Sequence, residues 1–229
     1  MKKPFDLVIV GAGFFGAVCA HELTRRGFRC LMIEKRPHIG GNSYTETRDG
    51  INLHQYGAHI FHTSSLKIWE WINQFARFNI YRHRLRANYE GRIFSFPVNL
   101  KTLRQLWGVQ TADEARIKLE SVRVMEANLD TLEGWALSQV GREVYEIFVK
   151  GYTEKQWGRP PAELPASIIR RLPVRFTEND DYFDDLYQGI PEGGYTPIFQ
   201  KLLAGTEVRL NTDYFTERSA FEALGRRLL

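Results

Sequence analysis

Apolar residues near the N-terminus follow the order strand, turn, helix, strand. Leu7–Val10 is a short apolar run rich in β-branched residues, which is typical of one buried strand. Apolar positions 17, 18, 20 and 23 then recur at helical spacing. A second apolar run, Cys30–Ile33, ends at Glu34. The pattern predicts a β-α-β unit within residues 5–41.

Beyond residue 63 the pattern predicts a helix, then antiparallel strands, then more helices. Thr63 can cap a helix over Ser64–Phe78. Alternation in Tyr81–Tyr89 and Arg92–Phe96, around Glu90-Gly91, predicts a hairpin. Further helices are predicted at Asn99–Trp107, from the capping box at Thr111 to Met125, at Thr131–Val140 and at Arg142–Lys150.

The C-terminal part returns to an α/β pattern. Helix Thr196–Leu203 and strand Glu207–Leu210 precede a predicted helix over Glu217–Leu229. A doubly wound sheet needs a strand after that helix, and the pattern predicts none. We therefore expect an incomplete sheet with an unpaired edge, and a chain that is a fragment of a longer protein.

Together these elements predict an α/β fold: a Rossmann-like domain with an inserted helical domain and an antiparallel β-sheet unit. The expected boundaries are residues 1–79 for the first part of the Rossmann-like domain, 80–98 for the first part of the sheet, 99–172 for the helical domain, 173–192 for the second part of the sheet, and 193–229 for the return to the Rossmann-like domain.

Composition narrows the function classes. The chain has 229 residues, 43% hydrophobic and 25% charged, and no apolar run approaches the roughly 20 residues of a membrane span. The N-terminus leads directly into the first strand, so no signal peptide is expected, and Cys19 and Cys30 are expected to pack as small apolar residues. These features predict a cytoplasmic protein. Net charge is +4, but Lys and Arg never run longer than two, which favours a small anionic ligand over nucleic acid.

Gly11-Ala12-Gly13-Phe14-Phe15-Gly16 lies between the first strand and the first helix. Gly11 allows a tight turn, Gly13 allows backbone to approach a pyrophosphate, and Gly16 allows close helix–strand packing. Glu34, 18 residues after Gly16, suits the adenosine ribose hydroxyls. The alternative is that the glycines serve packing only and Glu34 is a solvated strand end. Gly40-Gly41 resembles glutathione-reductase-like flavoproteins and favours FAD over NAD.

His59 and His62, three residues apart, raise the question of a metal site. Neither Cys nor clustered carboxylates accompany them, so no metal is expected. In the simpler interpretation His62 is a residue at a helix start. In the functional interpretation, the small residues of Gly57-Ala58-His59 let the backbone approach a flavin ring.

Lys150–Gly158 mixes aromatic and polar residues without a clear helical period. One interpretation is a helix end with core aromatics. The other is a ligand site, because aromatic faces stack on bases and sugars; its members would be Phe148, Tyr152, Trp157 and Tyr182. Nearby lie Arg170, Arg171 and Arg175, which are either a solvated basic face or the source of a pyrophosphate clamp.

Six segments carry a resemblance to a known family: GAGFFGAVCAHEL (11–23), IEKRPHIGGNSYTE (33–46), YGAHIFHT (56–63), KGYTEKQWG (150–158), RRLPVRF (170–176) and YQGIPEGGYT (187–196). By these segments the chain resembles the bacterial UDP-galactopyranose mutases. The strings GYTEKQWG and YGAHIFHT are specific to that family, whereas the glycine motif is not.

The resemblance implies that the Rossmann-like domain is an FAD-binding domain and that the helical domain is a substrate domain. It also implies roles for individual residues. The residues implied to bind FAD are Gly11, Gly13, Phe14, Phe15, Gly16, Glu34, Lys35, Gly41 and Asn42, with His59 beside the isoalloxazine. Those implied to line the uridine and sugar side are Phe148, Tyr152, Trp157 and Tyr182. Arg171, on a mobile loop, is implied to close over the diphosphate. His59 and Arg171 are thus the implied catalytic residues.

The resemblance also implies an activity: an isomerase that interconverts UDP-galactopyranose and UDP-galactofuranose, for galactofuranose biosynthesis and cell-wall polysaccharide. Reduced FAD is implied to attack the anomeric carbon through N5, giving a flavin–sugar adduct without net oxidation. NAD(P)H or another reductant is implied as a partner, and a homodimer for the full-length family. Since the family continues past residue 229, we expect this chain alone to express poorly or lack activity. The alternatives are a redox flavoenzyme of the amine-oxidase type and a non-catalytic binding module.

Overall fold

The computed structural model describes residues 4–125, 128–169 and 174–229. Over its described residues the chain forms two compact units, one from Met1–Tyr81 with Asp185–Leu229 and one from Arg82–Asp184. The second unit is therefore one continuous insertion in the first. The finer division into five segments remains a prediction.

The described residues form strands that we number in chain order: β1 (Phe5–Val10), β2 (Cys30–Ile33), β3 (Thr45–Arg48), β4 (Ile51–His54), β5 (Phe61–Thr63), β6 (Leu85–Tyr89), β7 (Arg92–Phe96), β8 (Tyr187–Gly189), β9 (Glu207–Arg209) and β10 (Gly225–Leu228). The α-helices are α1 (Phe14–Arg25), α2 (Leu66–Ile72), α3 (Leu100–Trp107), α4 (Ala112–Val122), α5 (Leu132–Tyr145), α6 (Gly151–Trp157), α7 (Thr196–Leu202) and α8 (Arg218–Leu224). Among the described residues, no helix is both long and apolar enough to span a bilayer.

A parallel four-stranded sheet, in the order β10-β1-β2-β9, forms the centre of the first unit. Alternate residues of β1 and β2 point to opposite faces, and both faces are covered. On one face Ile9 and Met32 pack with α1 and α7. On the other, Val8 and Leu31 pack with Phe221 of α8. The predicted Rossmann-like α/β architecture is confirmed.

Prediction of a continuous helix over Glu217–Leu229 is wrong. Helix α8 ends at Leu224, and the next residues form β10, which pairs in parallel with β1. The pairing continues past the strand, because Val10 N–H donates to Leu229 O at 2.9 Å. A Cβ at Gly225 would lie 2.6 Å from Val8 Cγ2, so the glycine permits this approach. The backbone hydrogen bonds that the edge of β1 offers outweigh the local helical preference. The sheet therefore contains the strand after α8 that the sequence analysis did not predict.

Helix α2 is shorter than the predicted Ser64–Phe78. Its N-cap is Ser65, not Thr63, and the Ser65 side chain accepts from Ile68 N–H. The helix ends because the Asn73 side-chain amide donates to Trp69 O at 2.7 Å, which favours a turn over another helical residue. Phe75 and Phe78 then enter the core of the first unit as loop residues.

In the second unit, the hairpin β6–β7 packs against α3, α4 and α5 around one apolar core. The predicted hairpin and its Glu90-Gly91 turn are confirmed. Thr111 caps α4 as predicted, since its hydroxyl accepts from Glu114 N–H at 3.2 Å. Gly141 interrupts α5 with φ +73°, where the sequence predicts a helix break, and a π-helical turn at Glu146–Lys150 joins α5 to α6.

Candidate functional site

A cleft of about 340 Å³ lies in the first unit where the parallel strands end. Open parallel sheets bind ligands at this edge, because loops leave the carboxyl ends of neighbouring strands together. The lining residues come from the ends of β1 and β2, from the loop after β2 and from the segment after β9: Val10, Gly11, Ile33, Glu34, Lys35, Arg36, Gly41, Asn42, Thr212, Asp213, Tyr214 and Phe215. Five of the residues implied to bind FAD are among them.

The glycine loop is shaped by close backbone contacts. Gly11 has φ +96°, and no described atom lies within 4 Å of where its Cβ would be. A Cβ at Gly16 would lie 2.1 Å from Gly11 O, so α1 can approach β1 only with glycine there. A Cβ at Gly41 would lie 3.0 Å from Gly13 Cα. The backbone of the second glycine pair thus lies directly against the backbone of the glycine loop.

Glu34 anchors the cleft at the end of β2. It is buried, and its Oε2 accepts from Ala12 N–H at 2.8 Å. Its Oε1 accepts from Arg36 N–H at 2.9 Å. The carboxylate therefore joins the glycine loop to the loop after β2. Each carboxylate oxygen retains lone pairs that can accept from ribose hydroxyls.

The residues present fit a dinucleotide. A Cβ at Gly41 would fill the space beside the glycine loop. Arg36 Nη1 is a buried cationic donor with no hydrogen-bond partner in the described part of the chain. Sequence reasoning missed Arg36 and the wall Thr212–Phe215. The available signal was position, because Thr212 follows the predicted strand Glu207–Leu210 at the same sheet edge.

Both phenylalanines of the glycine motif lie outside the lining of this cleft. Phe14 packs in the core of the first unit, with its ring centroid 4.6 Å from that of Phe199 and 6.0 Å from that of Tyr195. Phe15 is 73% exposed on α1. Neither side chain is brought to Glu34 and Gly41 by the fold.

His59 lies on a turn that is held by hydrogen bonds. Its backbone N–H donates to His54 Nδ1 at 3.2 Å, and its carbonyl accepts from Tyr195 Oη at 3.2 Å. Burial raises the pKa of Tyr195, so its hydroxyl stays a donor. His59 Nδ1 lies 2.8 Å from Gly57 O. The Gly57-Ala58-His59 backbone is therefore fixed from both sides, although His59 is not among the residues that line the cleft at Glu34.

His54 makes this turn sensitive to pH. Burial and the neighbouring charge of His59 lower the pKa of His54 from 6.5, so folding favours the neutral ring that accepts from His59 N–H. This stability is fully present above pH 6.5 and is lost as the pH falls through the lowered pKa. We expect His54→Gln, whose amide oxygen can still accept, to lose less thermal stability on acidification than the wild type. The measurement is Tm at about pH 8 and about pH 5.5.

An equal fall in Tm on acidification for the wild type and His54→Gln would contradict the assignment.

His62 belongs to a separate cluster. Its Nδ1 lies 2.5 Å from Asp185 Oδ2, and Ser64 donates to the other oxygen of that carboxylate. The two hydrogen bonds hold the pKa of Asp185 below its usual range. Within the described residues no group of three His, Cys, Asp or Glu side chains is placed to hold a metal ion.

A second cleft, of about 560 Å³, lies in the second unit between β6 and the helical turns after α5. This volume is typical of a small-molecule site. Of the aromatic residues predicted to bind substrate, Phe148, Tyr152 and Tyr182 line it, and Trp157 does not. The complete lining is Leu85, Arg86, Ala87, Asn88, Tyr89, Phe96, Glu146, Ile147, Phe148, Gly151, Tyr152, Lys155 and Tyr182.

The aromatic residues of this cleft differ in burial. Phe148 is 7% exposed and packs on Phe94 and Phe96, at centroid distances of 5.4 and 6.1 Å. Tyr152 is 67% exposed on α6. Phe148 therefore forms the floor of the cleft as part of the core. Tyr152 has a ring face available to a ligand.

Cations line part of this cleft. One of them, Arg86, was not identified in the sequence analysis. Arg86 Nη2 lies 3.2 Å from Asp180 Oδ2, and Lys101 Nζ lies 3.5 Å from the same oxygen. Burial acts to raise the pKa of Asp180, but hydrogen bonds and charge from Arg86 and Lys101 outweigh it and lower that pKa. Arg86 is thus held in place by an ionised partner. Lys155 of α6 adds a second cation to the lining.

Of the three arginines considered for a pyrophosphate clamp, Arg170 and Arg171 lie outside the described residues. Arg175 is already paired with groups of the chain. Its guanidinium is mostly buried, lies 3.0 Å from Asp184 Oδ1 and donates to Asp181 O. It serves to hold the segment around residue 181.

Two family models match the chain. The one described as UDP-galactopyranose mutase matches residues 147–228. The one described as NAD(P)-binding Rossmann-like domain matches residues 9–75. The first begins next to Phe148 in the aromatic cleft and ends in β10. The second covers the glycine loop and Glu34.

Two curated relatives and one solved structure extend this result. The chain is 45% identical over 202 residues to a probable UDP-galactopyranose mutase of Klebsiella pneumoniae, covering 86% of this chain and 52% of the relative. It is 40% identical over 222 residues to the dTDP-fucopyranose mutase of Escherichia coli, covering 95% and 59%. A crystal structure of reduced UDP-galactopyranose mutase is similar in fold, with TM-score 0.64 and 20% identity over 90% of this chain and 48% of that one. The chain spans about half the length of the curated relatives it matches. Over most of its length the chain is thus similar to members of the UDP-galactopyranose mutase family.

Proposed function

We propose that the chain contains the cofactor cleft and the nucleotide cleft of an isomerase that interconverts UDP-galactopyranose and UDP-galactofuranose, with FAD as cofactor. The observation that carries this is the presence of two dissimilar clefts, one at the edge of a parallel sheet and one lined by aromatic rings and cations. A purely dinucleotide-binding chain would have no use for the second.

In this proposal the first unit holds FAD. The backbone N–H groups of the glycine loop face the pyrophosphate, and Glu34 accepts from the ribose hydroxyls. When bound and reduced, the flavin supplies an electron-rich nitrogen that can serve as nucleophile toward the anomeric carbon, with no net oxidation. The flavin ring would lie beside His59, as the resemblance implies, and hydrogen bonds to His54 and Tyr195 hold the turn that carries this residue.

The second unit holds the nucleotide sugar. Tyr152 and Tyr182 offer aromatic faces to the base and sugar, and Phe148 supports them from the core. Arg86 and Lys155 supply positive charge for the diphosphate. Arg171 remains the proposed closing residue, and Trp157, outside this cleft, remains a proposed contact of the substrate.

Turnover assays test the proposal. The 229-residue chain is incubated with FAD, reduced with dithionite, and supplied with UDP-galactofuranose. Because the chain spans about half the length of its relatives, we expect it to bind FAD and UDP but to turn the sugar over far more slowly than a full-length relative, and without consumption of an electron acceptor. A need for a stoichiometric electron acceptor would favour a redox flavoenzyme of the amine-oxidase type. Binding of FAD and UDP without any turnover would favour a binding module.

A second candidate is the equivalent reaction on a dTDP-linked sugar, favoured by the 40% identity to dTDP-fucopyranose mutase across 95% of this chain. Parallel assays with UDP-galactopyranose and dTDP-fucopyranose distinguish the two. A higher kcat/KM for the dTDP sugar would establish the second candidate and exclude the first.

A further inference from the structure

Arg36, two residues beyond Glu34, forms part of the wall of the first-unit cleft. Its Cζ lies 4.3 Å from the ring centroid of Tyr56, and its Nη2 donates to Asn42 Oδ1 at 2.9 Å. Its Nη1 is buried without a hydrogen-bond partner among the described residues. Buried cationic donors are rarely left unpaired, so the guanidinium retains a donor that the described residues do not satisfy.

Below Arg36, the Tyr56 ring is itself held in place. Its hydroxyl lies 2.7 Å from His38 Nε2. His38 Nδ1 lies 3.0 Å from Ile39 O, and since a carbonyl only accepts, Nδ1 carries the hydrogen. In the neutral ring Nε2 then accepts from Tyr56. His38 also stacks on Tyr44, with centroids 3.9 Å apart. Arg36 is thus held in one orientation before any ligand binds.

We propose that Arg36 is a specificity-determining residue whose guanidinium reads the adenosine half of the cofactor, and that Tyr56 is its positioning residue. This rests on the proposed function, since it assumes that a dinucleotide occupies the cleft. The acceptor is a ribose oxygen or an adenine ring nitrogen. A 2′-phosphate is disfavoured, because the Glu34 carboxylate on the same cleft wall would repel it.

Binding to the 229-residue chain, measured by isothermal titration calorimetry, tests the role of Arg36. Arg36→Met keeps the apolar stem over Tyr56 but removes the charge and the donors. We expect it to weaken FAD and 5′-AMP at least tenfold, and to leave FMN, which lacks adenosine, unchanged. Arg36→Lys, which keeps the charge without the planar fork, should be intermediate. Arg48→Met, an exposed arginine on β3, is the control for net charge and should bind like the wild type.

Tyr56 is tested by a matched pair. Tyr56→Leu should weaken FAD binding although Arg36 is still present, and Tyr56→Phe, which restores the ring, should recover most of it. If the hydroxyl mattered and the ring did not, Tyr56→Phe would bind FAD no more tightly than Tyr56→Leu. Thermal melting of each variant separates loss of binding from loss of folding.

Three results would overturn the inference: FAD affinity unchanged in Arg36→Met, FMN weakened as much as FAD, or the wild type binding adenosine 2′,5′-bisphosphate more tightly than 5′-AMP. Failure of the proposed function gives a different pattern. If the wild type binds 5′-AMP but not FAD, the flavin assignment fails while the AMP titrations still measure the role of Arg36. If it binds neither, both fail.

Discussion

Gly16→Ala is expected to unfold the first unit or to destabilise it by about 3 kcal/mol or more. A Cβ there would lie 2.1 Å from Gly11 O and 3.3 Å from Ile9 Cγ2. The first of these is backbone in a tight turn, and Ile9 is 1% exposed in the core. Neither can rotate away, so α1 would have to move off β1. For a chain of this size the change corresponds to a fall in Tm of roughly 6–12 °C.

Gly13→Ala is the matched control, because it adds the same methyl group three residues earlier. Its Cβ would lie 3.9 Å from Gly41 Cα, and its φ of −80° suits alanine. We expect stability within about 0.5 kcal/mol of the wild type, but weaker FAD binding, since the methyl group would lie where the proposal places the pyrophosphate. Circular-dichroism melting and flavin titration measure the two effects. Wild-type FAD affinity in a folded Gly13→Ala protein would contradict that placement.

Phe148→Ala is expected to destabilise the second unit by about 3–5 kcal/mol. The side chain is 7% exposed, and its contacts with Phe94 and Phe96 join the hairpin β6–β7 to the helical layer. Removing the ring leaves a cavity beside Phe94 and Phe96 at the floor of the cleft. Urea denaturation monitored by fluorescence measures the loss. Phe148→Leu, which fills most of the volume, should recover more than half of it.

Tyr152→Ala separates binding from packing at the same cleft. Because Tyr152 is 67% exposed, we expect its loss to change stability by less than about 0.5 kcal/mol. If its ring stacks on the base, UDP affinity should fall by about tenfold, the scale of one aromatic–base stack. Calorimetric titration with UDP tests this. Unchanged UDP affinity would remove Tyr152 from the substrate site.

The elements that depend on local interactions could be predicted. Strands β1 and β2 follow from continuous apolar runs, the β6–β7 hairpin from alternation around Glu90-Gly91, and the start of α4 from its Thr111 cap. The break at Gly141 follows from a residue that can adopt a positive φ. In each case the residues that decide the structure are neighbours in the chain.

Three other features depend on partners outside their own helix or strand. The sequence pattern extends helix α8 to the last residues, but these residues form β10. The edge of β1 offers them hydrogen bonds that the local helix cannot match. In the sequence Arg36 is one of many cations. Only its contacts with Tyr56 and Asn42 distinguish it. Arg175 is a candidate pyrophosphate clamp in the sequence, but in the structure it forms an ion pair with Asp184.

By itself, the sequence determined the β-α-β unit, the β6–β7 hairpin, the glycine loop with its acid, and the aromatic segment 148–157, since each depends on residue type and spacing. Tertiary structure alone decided which side chains share a cleft. It brought Gly41 to Gly13, Thr212 to Glu34 and Tyr182 to Phe148, and left Phe14 in the core. The reason is that burial and hydrogen-bond satisfaction depend on contacts across tens of residues, and no local pattern encodes which of the available partners will be nearest.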